Sequence, residues 1–358
     1  MDAEFEDLNE VPASSPGFTS RERPIIERLK RRFLYGLIFG VAVIALVAIA
    51  GNGPALAGTL GRFDWRLLPI IVGLTLANYV LRFAKWQFYL RWLKVGAIPT
   101  RTSLGIFFAG FSMAVTPGKV GEFLKAYLLR RATGVPVATT APIVLVERLT
   151  DGMAMLVLAA AGLATARYGW QFLVVMALGA AAGVFVLQRR ALVLGILTRL
   201  EHLPLLSSRA HLLRAFYEST YLLLRPGNLL IATGIGVISW SGECLAFALI
   251  LTGLGLPFSW SLLATATFIL AIATMAGAIS MLPGGLGAAE ASIAGLLLLL
   301  VHDPRMTTEL AAAATLLVRF ATLWFGVLLG IAGLFAVERH LRRATERPVG
   351  AGLASNSD

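Results

Sequence analysis

Long apolar runs, each about a bilayer thick, alternate with short polar stretches in which the basic residues collect. Full membrane-spanning helices are expected near 33–51, 67–91, 137–165, 168–188, 228–252 and 308–336, each close to the roughly 20 apolar residues that a crossing requires. Between spans lie two further apolar units, 103–131 and 259–302, each interrupted by Pro-Gly. Proline ends a helix and glycine lets the chain reverse, so each unit is predicted to be a helical hairpin. The first arm of the earlier hairpin, Ser103–Thr116, reaches only about 21 Å at ~1.5 Å per residue, short of a hydrocarbon core about 30 Å thick. That hairpin is expected to be re-entrant. The later one, with arms 259–281 and 285–302, is long enough either to cross and return or to re-enter.

The two breaks echo each other. Pro117-Gly118-Lys119-Val120-Gly121-Glu122 is matched by Pro283-Gly284-Gly285-Leu286-Gly287, with Glu290 close behind. Leu145-Val146-Glu147-Arg148 is matched by Leu316-Leu317-Val318-Arg319, and Ile98-Pro99 by Leu256-Pro257. A span–hairpin–span unit therefore recurs at 67–165 and 228–336. One extra span, 168–188, separates the copies, so the second is expected to be inverted relative to the first. Broken apolar segments at corresponding places in two halves are a sequence-level pointer to a transport site.

Composition agrees with this class. The chain of 358 residues is 57% hydrophobic and 14% charged, with mean hydropathy +0.77, against about 25% charged in a soluble domain. The fold class expected is an all-α polytopic membrane protein, with about six full spans and two Pro-Gly-broken hairpins. Its organisation is a disordered, basic cytoplasmic N-terminus (1–32), a transmembrane domain (33–340) and a disordered cytoplasmic tail (341–358). Placing the N-terminus inside assigns 23 of the 31 Lys/Arg to the cytoplasm and leaves only Arg62, Arg66, Arg167 and Arg305 outside. This positive-inside asymmetry predicts N-in and C-in, in the cell's inner (plasma) membrane. The arginine-rich stretch 189–226 would then lie along anionic inner-leaflet lipid, or simply fix topology. Trp65, Trp86, Trp92, Trp170 and Trp260 are expected as interfacial anchors. One cysteine and four scattered histidines supply neither a disulfide framework nor metal-ligand spacing, so no metal and no cofactor are expected.

Ionisable groups inside lipid are costly and mark pathways or paired interiors. At membrane depth the chain carries Arg82, Lys85, Lys119, Lys125, Arg148 and Arg319 against Glu122, Glu147, Asp151, Glu243 and Glu290. Helical spacing puts Glu147, Arg148 and Asp151 on one side of their span. Mutual pairing would leave a small positive excess, suited to a phosphate. A helix starting after Pro-Gly also exposes unpaired amides that attract anions, and glycine permits close approach. Arg148 and Arg319 are the candidate headgroup contacts, because guanidinium grips phosphate oxygens two at a time; Lys119 would stand at the cytoplasmic mouth. The same groups would serve equally as a structural ion-pair network locking helices together. Glu243 is either a proton-coupling carboxylate or a locally paired one.

The run Pro117 to Glu122, then Val146-Glu147-Arg148 with Asp151, then Leu282 to Gly287 with Glu290, resembles the lysylphosphatidylglycerol synthase transmembrane family over roughly residues 30–340. This is the flippase-like membrane module of bacterial multiple peptide resistance factors, also found as stand-alone proteins. The resemblance implies two re-entrant hairpins and movement of a lipid between leaflets. It carries the family's polar positions onto Lys119, Glu122, Glu147, Arg148, Asp151, Glu290 and Arg319, and its hairpin backbone onto Pro117, Gly118, Gly121, Pro283, Gly284, Gly285 and Gly287. Resistance factors continue into a soluble aminoacyl-transferase domain, whereas this chain ends in a polar tail, so aminoacylation is not expected of it.

The leading expectation is therefore a flippase or scramblase for an anionic or phosphate-bearing lipid, with no catalytic residue and no nucleic-acid partner. No GxxxxGK[ST] loop is present to couple ATP. Two alternatives remain. A membrane transferase using a lipid donor would need outward-facing acid or histidine, and the outer loops offer Asp64, His302 and Asp303. A non-catalytic scaffold would instead partner a lipid-synthesis enzyme.

Overall fold

In a computed structural model of the protein, residues 23–116, 121–162, 170–201 and 210–345 are described. They form fifteen α-helices, with no strand among the described residues. The chain is thus all-α and polytopic. Six helices are long and apolar enough to cross a bilayer: Phe33–Ala50, Trp65–Trp92, Pro226–Gly253, Trp260–Ile279, Pro283–Leu300 and Thr308–His340. A bent pair, Leu173–Gln188 and Arg190–Arg199, turns by 70° and makes a seventh if taken as one span.

In chain order the helices are α1 (Arg23–Ala50), α2 (Gly53–Gly61), α3 (Leu68–Trp92), α4 (Thr100–Ser112), α5 (Leu124–Thr133), α6 (Val137–Thr140), α7 (Pro142–Gly162) and α8 (Trp170–Gln188). They continue with α9 (Arg190–Glu201), α10 (Ala210–Leu223), α11 (Pro226–Gly253), α12 (Trp260–Ile279), α13 (Ala288–Leu300), α14 (Thr308–Arg319) and α15 (Phe325–Thr345). Hairpin one is α4–α5 and hairpin two is α12–α13.

The helices are polar inside and apolar outside, as lipid demands. On α3 the lipid-facing Val80 is 68% exposed, while Lys85 is 1% exposed and Arg82, Asn78 and Thr75 are also buried. Those polar residues recur every three or four positions, on the side that packs against the rest of the bundle. The same reasoning explains a difference from hydropathy. The expected span 137–165 is present as α6 and the 21-residue α7, yet α7 is not among the six apolar crossings. Its Glu147 and Asp151 are buried against other helices, so the bundle rather than lipid solvates them.

Packing follows the repeat. α3 packs on α11, the corresponding first spans of the two units. α4 packs on α15, and α12 packs on α7, so each hairpin's first arm lies against the other unit's last span. Exchanging the units maps these contacts onto each other. Small residues allow them: a Cβ on Gly330 of α15 would stand 2.1 Å from the Ser112 amide nitrogen, and one on Gly162 of α7 would stand 2.6 Å from the Ala264 carbonyl oxygen.

Hairpin one remains short, with α4 and α5 of 13 and 10 residues. In hairpin two α12 has 20 residues and α13 has 13. The stretch expected to lie along the inner leaflet bends away after Gln188, but α10 packs onto α6 and α7, burying Tyr217, Thr220 and Leu223. Trp86 is not an interfacial anchor. It is 2% exposed, and its indole nitrogen donates to Ser103 Oγ at 3.1 Å. Trp65, Trp170 and Trp260 are exposed, as expected. Of the termini expected to be disordered, residues 1–22 and 346–358 lie outside the described residues, whereas 23–32 and 341–345 are helical, as the ends of α1 and α15.

Candidate functional site

α7 delivers the centre of the site. Three- and four-residue spacing puts Glu147, Arg148 and Asp151 on its inward side, where they meet cations from α3 and α5. Glu147 binds Lys125 Nζ at 2.6 Å and Arg82 Nη2 at 3.0 Å. Asp151 binds Lys85 Nζ at 2.5 Å and Arg82 Nη2 at 3.2 Å. Arg82 therefore bridges both acids, with the Phe111 and Trp240 rings against its guanidinium. The Lys125 ammonium faces Trp86 and Phe107. Tyr89 Oη shares a 3.0 Å hydrogen bond with Thr150 Oγ1, and the Lys85 ammonium donates to that same hydroxyl at 3.4 Å. Truncating one member of so buried a pair costs about 3–5 kcal/mol, because the partner's charge is left without compensation.

Arg148 and Arg319 occupy corresponding places. Arg148 Nε is 3.3 Å from Glu122 Oε2, just past the first break, while its Nη2 is 3.2 Å from Glu147 and 3.5 Å from Asp151. Arg319 Nε is 2.5 Å from Glu290 Oε1, just past the second break. In each unit the arginine of the last span thus grips the acid that follows the hairpin's turn. Arg319 does more: its Nη2 donates to the Gly284 carbonyl at 2.9 Å, and Glu290 Oε2 accepts from the Gly287 amide at 2.6 Å. The turn requires glycine, since Gly284 and Gly285 have φ of +62° and +66° and a Cβ on Gly285 would press within 2.9 Å of Gly277 Cα. A π-helical turn, Phe320–Trp324, follows Arg319 directly. Such wide turns are common at functional positions.

These groups border a cavity of about 120 Å³ between the units. That is room for several water molecules or a small anionic headgroup. Tyr79, Arg82, Glu122, Arg148, Trp240 and Arg319 stand in its wall. The Tyr79 hydroxyl, Arg82 Nε and the Trp240 indole nitrogen are buried there without a hydrogen-bond partner. Buried polar groups are normally satisfied, so water or a bound acceptor serves these donors. Beside the cavity, an apolar groove of about 780 Å³ runs between α1 and α14–α15, lined by Phe33, Ile44, Leu316, Phe320, Trp324 and Leu328. Glu290 and Arg319 lie on its floor, and Arg319 and Val327 border both spaces.

Of the residues singled out from sequence, Glu122, Glu147, Arg148 and Asp151 form one cluster and Glu290 and Arg319 form a second; Glu122, Arg148 and Arg319 reach the same cavity. Gly121 packs against Met113, and its amide donates to Thr116 Oγ1 at 2.9 Å. Pro283, Gly284, Gly285 and Gly287 build the second turn. Pro117, Gly118 and Lys119 lie outside the described residues. Lys125, expected at membrane depth, is 1% exposed and belongs to the interior network. Tyr79 and Trp240 carry no charge, so nothing in the sequence marks them as cavity residues. Arg82 and Lys85 are visible there as intramembrane charges, three apart on one helix side, but their partners sit about 65 positions away on α7.

Among the described interior charges, four carboxylates (Glu122, Glu147, Asp151, Glu290) are paired with five cations (Arg82, Lys85, Lys125, Arg148, Arg319). Glu243 is a fifth interior carboxylate, so these described charges balance when it is ionised and leave one positive charge when it is protonated. No curated protein matches the chain. The family profile described as the lysylphosphatidylglycerol synthase TM region does match, over residues 33–330. With that match covering most of its length, the chain belongs to the lysylphosphatidylglycerol synthase transmembrane family.

Proposed function

We propose that this protein translocates an anionic or phosphate-bearing lipid between the leaflets of the inner (plasma) membrane, with both termini in the cytoplasm. One observation carries the reading: a cationic cavity lined by hydrogen-bond donors adjoins, across Arg319 and Val327, an apolar groove large enough for acyl chain. An amphiphile fits that pairing, with its phosphate among Arg82, Arg148 and Arg319 and its chains in the groove facing lipid. A membrane-embedded transferase would need a nucleophile or general base near the headgroup. Glu122, which borders the cavity, and Glu290, which borders the groove, are instead engaged by arginine.

The hairpins are the moving parts in this reading. Arg148 and Arg319 each hold the start of a hairpin's second arm through a single acid. A headgroup phosphate that competes for the guanidinium loosens that hold, which links occupancy to gating. The exchanged packing of the units lets the two gates act alternately by rocking.

The test is leaflet exchange in proteoliposomes. Fluorescent phosphatidylglycerol is reconstituted with the purified protein, and the outer-leaflet label is bleached. Loss of more than the outer-leaflet fraction is expected with protein and not in protein-free vesicles. Absence of exchange for phosphatidylglycerol and phosphatidic acid alike, in protein that remains folded, would overturn the proposal. A mass change in the lipid would move the assignment to a transferase.

A further inference from the structure

The paired carboxylates of the interior do not include Glu243. It lies in the middle of α11, 1% exposed, and among the described residues no cation reaches ion-pair distance of it. Neutral groups hold it instead. The Asn78 amide donates to Oε1 at 2.7 Å, and the Thr75 hydroxyl donates to Oε2 at 3.3 Å. Ser239 sets the Asn78 amide by donating to its Oδ1. This shell serves either protonation state, because Asn78 donates to a neutral or an ionised carboxyl and the Thr75 hydroxyl can turn to accept a carboxyl proton. Ionising a buried carboxyl without a counter-charge is expensive, so the neutral form gains wherever no compensating cation is free.

Charged groups on the elements packed against α11 are engaged elsewhere or stand at helix ends. On α11 itself the titratable neighbour is Cys244, and on α3 the groups that feel the charge of Glu243 are Tyr79 and Arg82. Lys85, further along α3, is held by Asp151. On α7 Glu147, Arg148 and Asp151 are already paired, and α12 carries no charged residue. On α14 Arg319 is taken by Glu290, and Glu309 sits in the first turn; the short turn Trp65–Leu67 brings Arg66.

Position gives Glu243 its meaning. Trp240 is one helical turn before it, and Tyr79 adjoins its partner Asn78, so it stands behind the cavity wall formed by Tyr79, Arg82 and Trp240. The five described interior cations and four paired carboxylates leave one positive charge, which an ionised Glu243 would cancel. Counted over the described residues, the interior is then neutral when empty with Glu243 ionised, and again when loaded with a singly charged phosphate while Glu243 carries a proton.

We propose that Glu243 is a proton-binding site coupled to the lipid site, so that a headgroup phosphate and one proton enter and leave the interior together. This rests on the translocation reading above. The proton comes from water on the loading side and returns to water on release, and no other group changes charge. By linkage, protonation strengthens phosphate binding, so affinity is greatest at low pH and falls as pH rises through the titration of Glu243.

Two measurements test it. The first titrates detergent-solubilised protein with dihexanoyl phosphatidylglycerol in weakly buffered indicator dye. Wild type should take up about one proton per lipid bound, and its affinity should fall about tenfold per pH unit above the Glu243 titration. Glu243→Gln should bind without proton uptake and with affinity independent of pH. Binding without proton uptake in wild type would overturn the coupling and leave translocation standing; no binding at all would overturn both. The second is infrared titration of the lipid-free protein. A protonated-carboxyl band that Glu243→Gln removes is expected, and its absence at every pH the fold survives would overturn the proposal regardless of lipid. Should Glu243→Gln fail to fold, Glu243→Asp should retain proton uptake with a displaced pH dependence, and an unchanged pH dependence would overturn the assignment.

Discussion

Removing the Arg319 guanidinium separates a structural role from a headgroup role more cleanly than any other change at this site. In Arg319→Ala, Glu290 loses an ion pair at 2.5 Å in which both side chains are largely buried, and Gly284 loses the donor to its carbonyl. Orphaning a buried carboxylate costs about 3–5 kcal/mol. Glu290 keeps the Gly287 amide, which places the charge penalty near the lower end of that range. The lost carbonyl hydrogen bond adds about 1 kcal/mol, for a total of about 4 kcal/mol. Glu290→Gln should cost less, about 2 kcal/mol, because Arg319 keeps Gly284 and is the more exposed partner. In the double variant no charge is orphaned, so its cost should stay near about 4 kcal/mol and reveal a coupling of about 2 kcal/mol. Detergent-denaturant unfolding of the four proteins closes the cycle. Costs that add within about 0.5 kcal/mol would refute the ion-pair argument. The folded double variant should nonetheless lose leaflet exchange, since the headgroup cation is gone. Exchange at the wild-type rate would remove Arg319 from the headgroup site while leaving its structural role intact.

Three other expectations follow from the same geometry. Lys125→Met should cost only about 2 kcal/mol in unfolding assays, because Glu147 retains Arg82 and Arg148, but it removes one interior cation and should weaken phosphatidylglycerol binding at least tenfold. Gly330→Ala should destabilise by about 3 kcal/mol and separate α4 from α15, since its new Cβ would meet backbone at 2.1 Å; a crosslinking pair across these helices that still reacted would contradict this. Leu328→Trp should fill the apolar groove and slow lipid exchange with little change in unfolding, whereas unaltered exchange would exclude the groove as the acyl-chain path.

The echo between the two Pro-Gly breaks is legible in the order of residues alone, and it locates the most informative pairs. Matching Arg148 to Arg319 and the two Pro-Gly breaks to each other sets an arginine and an acid at corresponding places in both units, and the fold pairs Arg148 with Glu122 and Arg319 with Glu290. Hydropathy and charge counting are less reliable where protein buries the polar group. They assign Trp86 to an interface, yet it is enclosed, because neighbouring helices rather than water or headgroups surround it.

Local chemistry written along the chain determined that it is helical, that it lies in membrane and where its breaks fall, because the bilayer imposes length and apolarity on every span independently of its neighbours. Which charges meet, how many cations are left over, and that Glu243 alone among the described interior acids has no ionic partner are properties of helices brought together from distant parts of the sequence. Those were decided only by tertiary packing, since the worth of a buried charge depends on the partners that packing supplies.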